Sequence, residues 1–455
     1  MHRIAVIGSG ISGLAAAWRM SGRHVSHRIT LFEAGSHFGG HAHTVDLTLD
    51  GATHGVDTGF LVFNHRTYPL LTRLFRDLGV ETAPSEMSFS VQVPGPGGQE
   101  GLEWSGRSLG AVFAQRRNLL RPRFARMLAD ILRFNRLATR LAHGEAGEDM
   151  HGTVGAFLDR HGLGQAFREE YFLPMIGCIW SCPTEQMLDF PLATLIRFCH
   201  NHGLVQVTDR PVWHTVRGGS RNYVQRMLDQ IAQGGRHEVL RNTPVLGLVR
   251  QEQGVLLRTA QGTQRFDAVV LACHSDQALA LLGEDATAQE RQVLGAIRYQ
   301  SNTAVLHTDT GVLPRRPAAW AAWNFERAGL PVQRDGTGGV CLHYLINRLQ
   351  PLPWQRPVIV SLNPARPIDE GQVHRRIEYS HPVFDQAAIE AQGQVHGLQG
   401  QRRTWYCGAW CGYGFHEDGL RSALAAADGV LDALRRGLPQ PGYDDLGVAE
   451  RREAA

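Results

Sequence analysis

The chain opens on an apolar run, "IAVIG" from Ile4 to Gly8, and passes at once into "SGLAAAWRM", Ser12 to Met20, where small and apolar residues dominate. A short, wholly apolar run closed by glycine predicts a strand buried in a parallel sheet, and the stretch after it predicts a helix. A second strand pattern, "RITLFE", ends at Glu33. Farther on, Met87 to Trp104 reads as two strands around a Gly/Pro-rich hairpin, residues 106–203 read as mostly helical, and strand-like stretches return between Asn302 and Asn363. After Gly437 the polar segment "LPQPGYDDLGVAERREAA" predicts a poorly ordered tail, and the chain has no internal repeat.

Length and composition narrow the classes. At 455 residues the chain predicts two or three domains, and its charged fraction of 20% against a hydrophobic 43% is that of a soluble protein. No apolar run reaches the length of a membrane span, and the glycine loop from Gly8 interrupts any secretory core, so a cytoplasmic protein is expected. The seven cysteines are odd in number and scattered, which excludes a secreted disulfide framework. The C-x-x-x-C spacings at Cys178/Cys182 and Cys407/Cys411 lack a second pair, so buried thiols are the reading. A net charge of +3 is too small to imply nucleic acid, yet every one of the 46 basic residues is arginine. Without lysine, a Walker-type phosphate site, a pyridoxal Schiff base and a lysine nucleophile are all excluded.

The glycines after the first strand fit a phosphate cradle. Gly8 permits the tight turn, Gly10 allows backbone to approach a pyrophosphate, and Gly13 permits close helix–strand packing, with Ser12 in the first helical turn. Glu33 lies twenty residues beyond Gly13, where a dinucleotide fold places the carboxylate that accepts ribose hydroxyls. At this point NAD and FAD are both open.

"EAGSHFGGHAHTV", Glu33 to Val45, adds a second glycine pair, Gly39 and Gly40, behind Glu33 and Ala34. This stretch resembles the E-A-x-x-x-x-G-G-[RH] continuation of the flavin-containing amine oxidoreductase superfamily, which includes amine oxidases, phytoene desaturases and protoporphyrinogen oxidases. "GVDTGFLVFNHRTYPLLTRLFRDLGVET", Gly55 to Thr82, is similar to the segment that passes the flavin ring, with Asp57 and Gly59 in the family's places. "VRGGSRNYVQRML", Val216 to Leu228, resembles the glycine pair that opens a helix. Asn242 to Cys273 resembles the second nucleotide-facing sheet, where backbone near Val245 would meet the adenine. "WYCGAWCGYGFHEDGLRSALAAADGV", Trp405 to Val430, resembles the closing flavin motif and adds Gly408, Gly419 and Leu420 to the implied FAD contacts.

The resemblance implies an α/β fold in which a doubly wound, Rossmann-like FAD domain (residues 1–85, 205–275 and 395–440) is interleaved with a mixed α+β substrate domain. The latter covers 86–204 and 276–394, with its helical part at 106–203, and the tail is 441–455. "GGHAHTV", "EWSG", "LDFPLATLIRFCHNHGL" and "GYGFHEDGLRS" together resemble a bacterial branch encoded beside cyclopropane-fatty-acid-synthase-like methyltransferases. That branch implies desaturation of methyl-branched fatty acyl chains and a methyltransferase partner. Three positions depart from the family. The lysine that holds a water near flavin N5 in amine oxidases is missing, Phe60 stands where a second glycine is usual, and Gly408 is followed by Ala409 instead of a carboxylate. Glu417 or Asp418 would replace that carboxylate or cap the last helix.

Candidate chemistry follows from this frame. His41 and His43 come directly after the glycine pair and His416 lies in the closing motif, so each is a candidate for proton transfer beside the ring, with flavin contact or packing as the alternative. H-A-H with His54 invites a metal reading, but its place in a flavin motif accounts for it and no metal is expected. Cys407 could attach to the flavin covalently or be a buried thiol. "YFLPMIGCIWSCP", Tyr171 to Pro183, could line an apolar passage or be core, and "WAAWNF", Trp320 to Phe325, could cover the flavin. Arg107 to Arg140 holds nine arginines and a single acid, Asp130, among leucine, phenylalanine and methionine. It reads either as a solvated face on core-packed helices or as a surface for anionic phospholipid at the inner face of the membrane. Three functions are therefore expected in competition: an FAD-dependent acyl-chain desaturase, an amine oxidase, and a flavin-bound scaffold for a lipid methyltransferase.

Overall fold

The computed structural model describes residues 1–22, 26–95, 100–144, 150–180, 187–206, 210–233, 235–327 and 340–437. The hairpin tip at 96–99, Cys182 and the tail 441–455 lie outside the described residues. The chain divides into two compact units, Met1–Gly40 with Val224–Ala296 and Ala391–Ala455, and His41–Tyr223 with Ile297–Glu390. Residues 41–85 and 205–223, expected with the dinucleotide sheet, cluster in the second unit.

The first unit is built on β1 (His2–Ile7), α1 (Ile11–Met20), β2 (His27–Phe32), β3 (Glu238–Leu240), β4 (Ala268–Leu271), β5 (Thr404–Tyr406) and α2 (His416–Arg436). The strands form one parallel sheet in the order β3-β2-β1-β4-β5, the doubly wound order of a dinucleotide fold. From Ile4 to Val6 β1 is wholly buried, as is β4, which accounts for the unbroken apolar runs. A separate antiparallel meander, Val245–Gln251, Gly254–Thr259 and Gly262–Phe266, completes the scaffold. Arg250, 4% exposed, ties it to its own unit, bonding Asp285 Oδ2 at 2.7 Å and Glu290 Oε2 at 2.9 Å.

The second unit is built on a seven-stranded sheet. Its order is Val373–Val383, Arg298–His307, Ile359–Leu362, Cys341–Leu345, Trp323–Glu326, Phe89–Val93 and Leu102–Ser105. The hairpin pairing of Phe89–Val93 with Leu102–Ser105 is as expected, and so is the mostly helical character of the described residues within 106–203. The longest strand, Val373–Val383, was not expected. It is an edge strand, so its residues are largely polar and it accommodates Pro382. "YFLPMIGC" and the following "IW" run into the helix Leu173–Trp180, buried along most of its length.

Asp57 fastens the loops of this unit. Its carboxylate is wholly buried and accepts Thr44 Oγ1 at 2.6 Å, Ser220 N at 2.9 Å and Oγ at 2.7 Å, and Gln350 Nε2 at 2.8 Å. Burial pushes its pKa up to about 6, while the hydroxyl and amide donors pull the other way. Removing the acceptor leaves several donors buried without a partner. Asp57→Ala should therefore cost about 2–4 kcal/mol, read as a lowered midpoint in chemical denaturation.

Candidate functional site

In the first unit the residues implied as FAD contacts converge on the end of β1. A Cβ on Gly13 would lie 1.8 Å from the Gly8 carbonyl oxygen, so α1 can sit this close to the turn only with glycine there. Gly8 has φ +99°, a left-handed conformation that glycine adopts without strain. Gly39 N donates to Ser9 O at 3.0 Å, and a Cβ on Gly40 would lie 3.1 Å from the Gly10 Cα, which draws the second glycine pair onto the first loop. Ser12 Oγ donates to the Gly419 carbonyl at 3.0 Å and thereby locks the first turn of α1 against the first turn of α2. Leu420 is buried behind that contact.

Glu33 stands at the rim. Its Oε1 accepts Gly35 N at 2.7 Å and its Oε2 accepts both Ser9 N and Ser9 Oγ, while Ala34 is exposed beside it. Thr243 N donates to Glu33 O at 2.8 Å, which brings the start of the Val245–Gln251 strand alongside. Gly408 N donates to Ser422 Oγ at 3.0 Å, and Trp410 closes over Cys273, its Nε1 donating to that residue's carbonyl at 3.1 Å. Asp418 caps α2, accepting Tyr413 N and Phe415 N at 3.1 Å. Of the two expectations for the acids after Gly408, capping is what the geometry of Asp418 displays. Cys407 is fully buried, and burial holds its thiol well above the ordinary value.

The loop passes the test for an anionic dinucleotide. Gly10, the N-cap of α1, supplies no side-chain cap, and the first turn carries no acid. A Cβ built on Gly10 meets nothing within 4 Å, so space lies open over that turn. Uncapped N–H groups, the positive end of a helix and open space above them are what a pyrophosphate requires.

His41, His43, Asp57 and Gly59 lie in the second unit. The His41 ring stacks on Tyr379 with centroids 4.9 Å apart and lies 5.2 Å from the His381 ring. His43 Nδ1 is 3.1 Å from the Tyr379 hydroxyl, and Thr58 Oγ1 is 2.8 Å from the same oxygen. Gly59 lies against the His41 backbone, and Phe60 N donates to His41 O at 2.7 Å. Burial pushes the Tyr379 phenol up to about 12, so it remains protonated and can pass a proton but not store a charge. Asn302 Nδ2, 2.9 Å from His381 Nδ1, orients that second ring. Tyr379 and His381 were missed in the sequence. Their signal is the period-two spacing of Val373, Ile377, Tyr379, His381 and Val383, which puts them on one face of a strand. His54 takes no part in this cluster, since its Nδ1 bonds Gly55 O and its ring meets Trp354 edge-on. Trp320 and Trp323 belong to the seven-stranded unit, where Trp320 Nε1 donates to Pro314 O and Trp323 meets Tyr344 edge-on.

The family model of flavin containing amine oxidoreductases matches residues 11–329. The chain belongs to that family. Solved structures of similar fold include cyclohexylamine oxidase from Brevibacterium oxydans (TM-score 0.63, 16% identity, covering 96% of this chain and 100% of that one). The CLA-producing fatty acid isomerase from P. acnes is similar at TM-score 0.64 and 16% identity, covering 96% and 99%. An oxidoreductase from Methanosarcina mazei is similar at TM-score 0.59 and 12% identity, covering 94% and 100%. No curated protein sequence matches. This member of the family is an FAD-dependent oxidoreductase of amine-oxidase-like fold. The α1 turn with Gly10, the Glu33 carboxylate and the backbone before Val245 are the groups that would hold the dinucleotide, and the first turn of α2 the isoalloxazine end.

Two outcomes test this assignment. Gly10 has φ −61°, which alanine tolerates, so Gly10→Ala should leave the apoprotein's melting unchanged while weakening FAD binding about tenfold or more in a fluorescence titration. His416, at the start of α2, is held by burial down to about 3 against an ordinary 6.5. Below pH 6.5 the unfolded chain binds a proton there that the folded one refuses until about 3, so the stability His416 contributes above 6.5 is lost on acidification. His416→Gln should flatten the dependence of the denaturation midpoint on pH across that window, by up to about 1.4 kcal/mol per pH unit.

Proposed function

We propose that this oxidoreductase desaturates an apolar, methyl-branched acyl chain carried on a phospholipid, docking on anionic membrane through the region Arg107–Arg140. The observation that carries the reading is the exposure of leucine among arginine. Leu109, Leu119, Leu120 and Leu132 are 81%, 61%, 88% and 56% exposed. The helix Pro122–Ala142 does pack a core face, through Phe124, Met127, Phe134, Ala138 and Leu141, so the bland reading accounts for those residues and not for the exposed leucines. Of the nine arginines, Arg107, Arg117 and Arg123 pair with Glu86, Glu100 and Glu170, and the other six are exposed. Exposed apolar side chains interleaved along the sequence with exposed arginines match the boundary between acyl chains and anionic headgroups. Among the described residues no helix is long and apolar enough to cross a membrane, so the contact would be peripheral.

Bound FAD would supply the two-electron acceptor for such a reaction. The protein's part is to hold the substrate carbon in place, exclude water and receive the proton. His41 is the candidate acceptor, with the protonated Tyr379 hydroxyl, Thr58 and His43 as the hydrogen-bonded group around it. A fatty acid isomerase among the similar folds agrees with an acyl substrate. The cyclohexylamine oxidase supports a second reading, amine oxidation. Against it stands the missing lysine.

Mixing the FAD-loaded protein anaerobically with anionic liposomes of methyl-branched phospholipid should bleach the oxidised-flavin absorption and leave an unsaturated chain in the lipid. Leu119→Glu with Leu120→Glu should abolish both vesicle co-sedimentation and bleaching. Bleaching by amines alone would establish the second reading. A flavin that dithionite reduces and neither substrate class touches would leave a scaffold for a methyltransferase.

A further inference from the structure

The seven-stranded sheet contains a cluster that flavin chemistry does not use. Cys341 and His343 are two residues apart on the strand Cys341–Leu345, and so share a face. The neighbouring strand Trp323–Glu326 pairs Glu326 with Cys341 in register, which places a carboxylate on that same face. All three residues are buried, at 2%, 2% and 0% exposure for Glu326, Cys341 and His343.

The donor atoms converge. His343 Nε2 lies 3.1 Å from Glu326 Oε2 and 3.5 Å from Cys341 Sγ, and Sγ lies 4.0 Å from Oε2. Zinc bonded tetrahedrally to one sulfur, one imidazole nitrogen and one carboxylate oxygen requires donor separations of about 3.4–3.6 Å, from bonds of ~2.3, ~2.05 and ~2.1 Å. The observed triangle needs adjustments of a few tenths of an ångström to meet that requirement.

Surrounding groups hold each donor in the corresponding orientation. Ser361 Oγ, 2.7 Å from His343 Nδ1, turns the ring so that Nε2 faces the other two donors, and His307 Nε2 fixes Ser361 from behind at 2.6 Å. Arg366 Nε bonds the far carboxylate oxygen, Glu326 Oε1, at 2.8 Å, leaving Oε2 to point inward. Ala365 N donates to Cys341 Sγ at 3.3 Å and holds the sulfur in place. Outer partners on the second imidazole nitrogen, the second carboxylate oxygen and the sulfur form the supporting arrangement that metal ligands need.

We propose that Glu326 Oε2, Cys341 Sγ and His343 Nε2 bind one zinc ion, with water in the fourth position. Mixed sulfur, nitrogen and oxygen donors suit zinc over magnesium or calcium. Binding displaces the thiol proton and the proton that His343 Nε2 shares with Glu326 Oε2, and no electron is transferred. Nothing in the sequence around Cys341 signals the cluster, because Glu326 meets the C-x-H pair only through strand pairing.

The test uses the full-length, FAD-loaded protein, dialysed against chelator and titrated with Co²⁺. One cobalt per chain should bind with a thiolate-to-cobalt charge-transfer band and the visible spectrum of a tetrahedral ion, and Zn²⁺ should displace it. Cys341→Ser should lose the band with its flavin spectrum unchanged. Ser361→Ala should keep the band and weaken binding about 10–100-fold. Absence of the band in the wild-type protein, or its persistence in Cys341→Ser, overturns the proposal and leaves a buried hydrogen-bonded cluster.

Discussion

One steric constraint governs the first unit: nothing larger than hydrogen fits between the Gly8 carbonyl and the α1 residue above it. Because Gly13 has no Cβ, α1 lies directly on the turn that ends β1. A second such approach, where a Cβ on Gly419 would meet Ser12 Oγ at 2.8 Å, brings α2 against α1. The two helix starts are thereby held side by side by the Ser12 and Ile11 side chains lying on Gly419, and the Ser12 bond to Gly419 O fixes their register. Everything expected of the cradle depends on this closeness. The Ser9 and Glu33 contacts, the pairing of Gly39 with the first loop and the open space above Gly10 all follow from where α1 begins.

The lysine-free composition takes on structural meaning when individual arginines are compared. Arg250 is a buried strut whose guanidinium satisfies two carboxylates at once, which an ammonium on a flexible stem does less well. Around Leu119 and Leu120 the same side chain is exposed, where its weak hydration suits an apolar neighbour. One residue type thus serves as rigid fastening inside the first unit and as exposed charge on the second.

Much of the first unit was legible in the sequence because its signals are local. Strand, glycine turn, helix and terminal acid lie within the first thirty-odd residues, and Gly8 and Gly13 answer to close contacts while Gly10 leaves space open. The same holds for the hairpin beginning at Phe89 and the helices after residue 106. What escaped depends on pairing across long sequence separations. The partners of the Asp57 carboxylate are of this kind: it is taken up by Thr44, Ser220 and Gln350, the last almost three hundred residues away. Tyr379 and His381 meet His41 through a polar edge strand whose alternation is diluted by arginine and proline.

The strand order β3-β2-β1-β4-β5 carries a consequence for the birth of the protein. β1 leaves the ribosome well ahead of its partner β4, which begins at Ala268, and of β5, which begins at Thr404. At ordinary elongation rates of about 5–20 residues per second, the nascent β1–α1 segment waits on the order of tens of seconds for β4. During that wait the apolar strand has β2 on one side and no partner on the other, so one edge of the nascent sheet stays open until β4 has been made.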